Sequence, residues 1–187
     1  HRDRIVIIKT KHKIAIARVL QTPINMLRKL LHLPMKLEVR RAGGLKWRLD
    51  LNQGIDFAIY VTGRFEPFTL RAIADFIDQG DVVLDIGANV GALTLPLAQI
   101  VGKTGKVIAF EPTKYAYTKL VDNLSLNPDY LDCVSAEQIM LVGADNAIPK
   151  AELYSSWPLD PSEQQHDKHR GKLESTEGSS ACTLDTY

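Results

Sequence analysis

The sequence predicts an α/β fold: an incomplete parallel sheet preceded by an N-terminal helix and a β-hairpin. Three observations carry this prediction. Two short apolar runs, Val82–Asp85 and Lys106–Phe110, alternate with helical stretches at Leu93–Val101 and Lys114–Leu126. A glycine-rich turn, Gly87-Ala88-Asn89-Val90-Gly91, follows the first run directly. Upstream, Leu37–Arg40 and Leu45–Leu49 alternate apolar and polar residues around Gly43-Gly44, the pattern of a hairpin. Strands alternating with helices imply parallel pairing through crossover connections.

The chain of 187 residues is 45% hydrophobic, enough for one globular domain with a core of its own. Its net charge of +1 excludes a general polycation. The charge is unevenly placed, however. Residues 1–50 hold 13 Lys/Arg against 3 Asp/Glu, and the remainder hold 10 against 19, a basic arm on an acidic body. Cys133 and Cys182 form neither a disulfide framework nor a zinc spacing, so a reducing cytoplasmic setting is expected. No apolar run is long enough to span a bilayer, and Lys9, Lys11, Lys13 and Arg18 interrupt any signal-peptide pattern. The chain opens on His1, and a piece of a longer protein is expected.

Along the chain, Thr22-Pro23 reads as an N-cap with proline at the first helical position. The helix would run to about His32, with Met26, Leu27, Leu30 and Leu31 on an apolar side and Arg28 and Lys29 opposite. After the hairpin, Phe57–Val61 reads as a short strand and Pro67–Ile77 as a helix. Pro96 should kink the helix over Leu93–Val101. Ile139–Val142 is the expected third strand and Ala151–Tyr154 a fourth, and residues 156–180 are expected to form a solvated loop. Trp47 and Trp157 read as packing residues. The implied division is a basic helical arm over 1–35, a hairpin and helix over 36–78, and a cofactor-binding core over 79–187.

Chemistry concentrates at two strand ends, where open α/β sheets hold their ligands. The first is Asp85 with the loop Gly87 to Gly91, whose glycines allow a sharp turn and close approach of a ligand. The second is Glu111-Pro112, whose carboxylate suits the hydroxyls of a ribose. A dinucleotide site wants G-x-G-x-x-G/A. Here Asn89 replaces the middle glycine, which weakens the NAD reading. S-adenosylmethionine carries no phosphate, and its ammonium group wants an acceptor such as Asp85.

Tyr60–Gly63 with Glu66-Pro67, Gly80–Gly91, Gly105–Pro112, Asn123–Asn127 and Val142–Asp145 together resemble the FkbM-type methyltransferase family over roughly residues 36–187. The resemblance implies a Rossmann-like class I methyltransferase fold and S-adenosylmethionine as cofactor. The implied contacts are at Asp85, Gly87, Asn89, Gly91 and Glu111, with Asp145 near the adenine and Glu66 near the cofactor mouth. It implies methylation of oxygen on a small molecule or glycan, with no nucleic acid partner. Thr183-Leu184-Asp185 resembles the segment before the family's fourth core strand, but the Lys-Ile-Asp-Val-Glu-Gly-like motif does not follow. Val82–Asp85 should then be a sheet edge, and this stretch alone is expected to lack turnover.

Other readings stay open. An oxidoreductase domain binding NAD, or a non-catalytic interaction module recruited through the basic arm, fits part of the pattern. The mix of apolar and basic residues from Ile14 to Leu33 fits an anionic membrane surface as well as packing. Glu66 is equally a cap for the helix at Pro67, and Asp145 equally a turn residue. His166, Asp167 and His169 lack a third convincing metal ligand, and no metal is expected.

Overall fold

The computed structural model describes residues 10–143, 152–160, 162–163, 166 and 171–187. Helix α1 spans Thr10–Leu30 and encloses Pro23, so the expected start at Thr22 does not hold. Proline removes only the N–H that would reach the Val19 carbonyl. The helix continues because one face is docked, with Ile14 in the core and Ala17 and Ile24 packed against it. Gln21 is buried and donates through Nε2 to the Leu51 carbonyl at 2.6 Å, and Arg18 Nε donates to the Leu159 carbonyl at 3.0 Å. Arg28 donates through Nε to the Pro34 carbonyl at 3.0 Å. A second apolar stripe, with Ile16, Val19, Leu20, Met26, Leu27 and Leu30, faces solvent.

Strands β1 (Lys36–Arg40) and β2 (Lys46–Asp50) form the expected antiparallel hairpin, with Val39 opposite Trp47. Gly43 and Gly44 both adopt positive φ in the turn. Trp47 and Leu49 point into the core at 2% and 1% exposure.

Residues read as a strand at Phe57–Val61 instead belong to helix α2 (Gly54–Thr62). Aromatic and β-branched residues favour strands locally, but tertiary contacts override them. The Gly54 N–H donates to the Trp157 carbonyl at 2.7 Å, and Gly63 ends the helix in the left-handed conformation. Asp56, in the first turn, is fully buried; it accepts from the Asp50 N–H at 2.7 Å and pairs with Lys119. Helix α3 covers Pro67–Ala74.

The core is a parallel three-stranded sheet in the order β3 (Val82–Ile86), β4 (Lys106–Phe110), β5 (Val134–Glu137). Val83 pairs with Val107, and Val107 with Val134. Helices α4 (Thr94–Val101) and α5 (Lys114–Ser125) lie against the face that carries Val107 and Ala109. This is the expected α/β class, an incomplete parallel sheet of Rossmann-like type with an N-terminal helix and hairpin extension. Pro96 falls in the first turn of α4, where helical N–H groups have no intrahelical partner, so no kink is required. Among the described residues β3 is an edge, and Val82, Leu84 and Ile86 on its second face are exposed.

The third sheet strand lies earlier than Ile139. Val-Ser-Ala-Glu at 134–137 is only half buried, as suits an outer strand, and gives a weak apolar signal. Ile139–Leu141 forms β6 instead and pairs in parallel with β9 (Ser180–Cys182). Strand β7 (Glu152–Tyr154) pairs antiparallel with β8 (Leu173–Ser175). The stretch expected to be a solvated loop therefore carries strands, and it buries Ser156 and Leu159 as well.

Two asparagines of α5 and the turn after it bind the hairpin to the core. Asn123, fully buried, accepts from the Arg48 N–H at 2.8 Å and donates to the Val90 carbonyl at 2.9 Å. Asn127 accepts from the Lys46 N–H at 2.9 Å and donates to the Lys46 carbonyl at 2.7 Å. Their side-chain amides serve the free edge of β2 as a neighbouring strand would. Asn123→Ala should destabilise the fold by about 1–3 kcal/mol for each buried group left unpaired. Thermal denaturation should show a loss of roughly 2–4 °C per kcal/mol, the slope for a chain of this size.

Candidate functional site

The loop after β3 is pinned to the end of β4 by three backbone donors. Gly87 N–H and Ala88 N–H both donate to the Phe110 carbonyl, at 2.9 and 3.0 Å. Asn89 N–H donates to Glu111 Oε2 at 2.9 Å. Glu111 is 3% exposed, and its Oε1 accepts from the Thr113 N–H at 2.8 Å and the Thr113 hydroxyl at 2.5 Å. The carboxylate thus holds the loop as well as marking the strand end.

Three residues of the loop take positive φ: Gly87 at 81°, Asn89 at 50° and Gly91 at 84°. Asparagine tolerates the left-handed region better than other side chains, so it meets the backbone demand that a middle glycine would. Gly91 is required by packing, since a Cβ there would lie 2.8 Å from Leu120 Cδ1. Gly87 differs: a Cβ there would meet nothing within 4 Å, which leaves open space beside the strand end.

Asp85 is buried at 8% exposure and accepts from the Thr94 hydroxyl at 2.6 Å. Burial raises its carboxyl above the ordinary range, and the Thr94 bond partly offsets this. Gly87 and Asn89 are thus bonded to Phe110 and Glu111 at the end of β4, while Asp85 is bonded to Thr94 and Gly91 packs on Leu120. Glu66 engages other partners. At the start of α3 and with φ 43°, it pairs with Lys13 at 2.9 Å and accepts from the Thr69 hydroxyl at 3.2 Å. Asp145 lies outside the described residues, as do Asp167 and His169. Among the described residues no group of three metal-binding side chains occurs.

Sequence reasoning missed Thr113 and Ser155. Ser155 Oγ lies 3.1 Å from Asn89 Nδ2 and 3.3 Å from Thr113 Oγ1, so the segment after β7 covers the loop and Glu111. No local signal marks Ser155, because its role depends on a chain reversal that pairs β7 with β8. A cavity of about 530 Å³ lies to one side, between the hairpin, α3 and α4.

No family model matches the chain. Similar solved structures include one described as an rRNA-methylase from Clostridium thermocellum, at 27% identity over 38% of this chain and 38% of that one, TM-score 0.36. Another is a SAM-dependent O-methyltransferase from Thermotoga maritima, at 25% identity over 60% of this chain and 43% of that one, TM-score 0.38. A third is M. jannaschii TYW2 in complex with AdoMet, at 26% identity over 55% and 42%, TM-score 0.40. The chain spans less than half the length of each of these proteins. The expectation of a small-molecule or glycan acceptor with nucleic acid excluded is corrected here, because the similar structures include one described as acting on rRNA. Among the described residues no helix is long and apolar enough to cross a membrane.

The loop geometry can be tested directly. Asn89→Gly and Asn89→Val both lose the side-chain bonds to Ser155 and Val90, but Asn89→Val should be the less stable of the two by about 1–2 kcal/mol, the penalty for a side chain unsuited to the left-handed region. Urea denaturation of both variants checks this.

Proposed function

We propose that this chain is the cofactor-binding part of an S-adenosylmethionine-dependent methyltransferase of FkbM type. The single observation that carries the reading is the union of two strand ends into one site. Asp85 is the penultimate residue of β3, Glu111 directly follows β4, and the Gly87-to-Gly91 loop between them is bonded to Glu111 through Asn89. The open space at Gly87 supports close approach of a ligand. When bound, S-adenosylmethionine supplies an electrophilic methyl group on a sulfonium.

The chain's own residues would do the following. Asp85, once ionised, accepts a hydrogen bond from the ammonium group of the cofactor's amino acid part. Glu111 offers its remaining lone pair to a ribose hydroxyl. Oε2 accepts only the Asn89 N–H and keeps a free lone pair, whereas Oε1 already accepts both donors of Thr113. The Ser155 hydroxyl stands beside this cluster, so ribose hydroxyls would take over contacts it makes. Gly87 keeps the approach free of a Cβ. Glu66 and Asp145 belong to the same proposed site through the FkbM-type pattern alone. Asn89 speaks for this cofactor over NAD, since a side chain occupies the position where a pyrophosphate requires bare backbone.

Titration calorimetry with S-adenosylmethionine, S-adenosylhomocysteine and NAD tests the reading. The first two should bind and NAD should not. Glu111→Ala should weaken binding by about 1–3 kcal/mol, the range for unpaired hydrogen-bonding groups.

A pH dependence follows from Asp85. Its folded pKa is raised, so ionising it costs more in the folded protein than in the unfolded chain. It therefore detracts from stability as pH rises through the ordinary carboxylate range, about 4, towards its own titration. A cationic ligand selects the ionised form. Affinity should rise with pH across that titration and then level, with proton release on binding. Asp85→Asn should abolish this dependence.

A further inference from the structure

The cavity between the hairpin, α3 and α4 is separate from the loop cluster, and two features of it are unexplained by cofactor binding. Its floor is apolar and includes Trp47, 2% exposed. Arg64 and Arg71 also line the cavity, and among the described residues neither has a carboxylate within ion-pair distance. Leu45, Leu70 and the strongly exposed Phe68 supply an apolar wall. The volume, about 530 Å³, lies in the range of small-molecule sites.

We propose that this cavity binds an amphipathic organic anion. Its apolar body lies between α3 and α4 over Trp47, and its anionic group meets Arg64 and Arg71. Arginine suits such a group because its fork of donors matches a carboxylate or phosphate. The site needs no S-adenosylmethionine and stands whether or not the methyltransferase reading holds.

The probe is ω-hydroxydecanoate, which carries a carboxylate at one end of an apolar chain and a hydroxyl at the other. Decanediol is the uncharged control. Calorimetry with the full chain should show saturable binding of one ω-hydroxydecanoate, with a shift of tryptophan emission. The exposed pair Arg64→Gln/Arg71→Gln should keep the circular dichroism spectrum and bind at least about ten-fold more weakly, as loss of a charge-assisted contact requires. Decanediol should be weakened to a similar degree on the unaltered chain. Saturating S-adenosylhomocysteine should leave probe binding unchanged, which separates this site from the cofactor cluster. Absence of saturable binding would overturn the proposal. So would equal affinity for the diol, or equal affinity in the double-arginine variant.

Discussion

A carboxylate at 3% exposure is tolerated only if its oxygens are hydrogen-bonded, and Glu111 meets that demand in a way that organises its surroundings. One oxygen takes the Asn89 N–H from the loop after β3; the other takes both donors of Thr113 at the start of α5. Three successive elements are thereby fixed to one anion. Asn89 can present its N–H there because it adopts a left-handed conformation, and the loop reaches β4 because Gly87 and Ala88 donate to Phe110. Loss of the carboxylate would free the loop.

Polar side chains join the rest of the molecule to this centre. Asn123 reaches from α5 to the Val90 carbonyl of the same loop and to the Arg48 N–H of the hairpin. The hairpin then presents Trp47 and Leu49 to the core shared by α2, α4 and α5. The buried pair of Asp56 and Lys119 ties α2 to α5. Burial pushes the Asp56 carboxyl up, and Lys119 works against that shift. Breaking one partner of such a pair leaves an uncompensated charge, so its two members are held together as a unit.

The two sides of the parallel sheet differ. Helices α4 and α5 cover the face carrying Val107 and Ala109, while Val82, Leu84 and Ile86 on the other face of β3 are exposed. Parallel sheets are ordinarily covered on both faces, and β3 has the near-continuous apolar sequence of a doubly covered strand. Helix α1 docks through a mixed face, Ile14, Ala17 and Ile24 against the core with Gln21 and Arg18 bonded to the Leu51 and Leu159 carbonyls, while a second apolar stripe faces outward.

The sequence by itself determined the elements whose signals are local. The hairpin, β3, β4, α4 and α5 lie where period and turn residues placed them, because alternation, glycine turns and helical spacing act over a few residues. Asp85, the loop and Glu111 were legible for the same reason: each sits at a strand end that the pattern defines. Tertiary structure decided the rest. The β-prone run at Phe57–Val61 became helix because Trp157 and Gly63 fix its two ends. The third strand moved to Val134–Glu137 because its weak apolar signal is that of an outer strand, paired on one side with β4. Ser155 joined the site through the pairing of β7 with β8, and Glu66 turned to Lys13 and Thr69. Each of these outcomes depends on contacts between residues far apart in the chain, whose partners no local pattern can name.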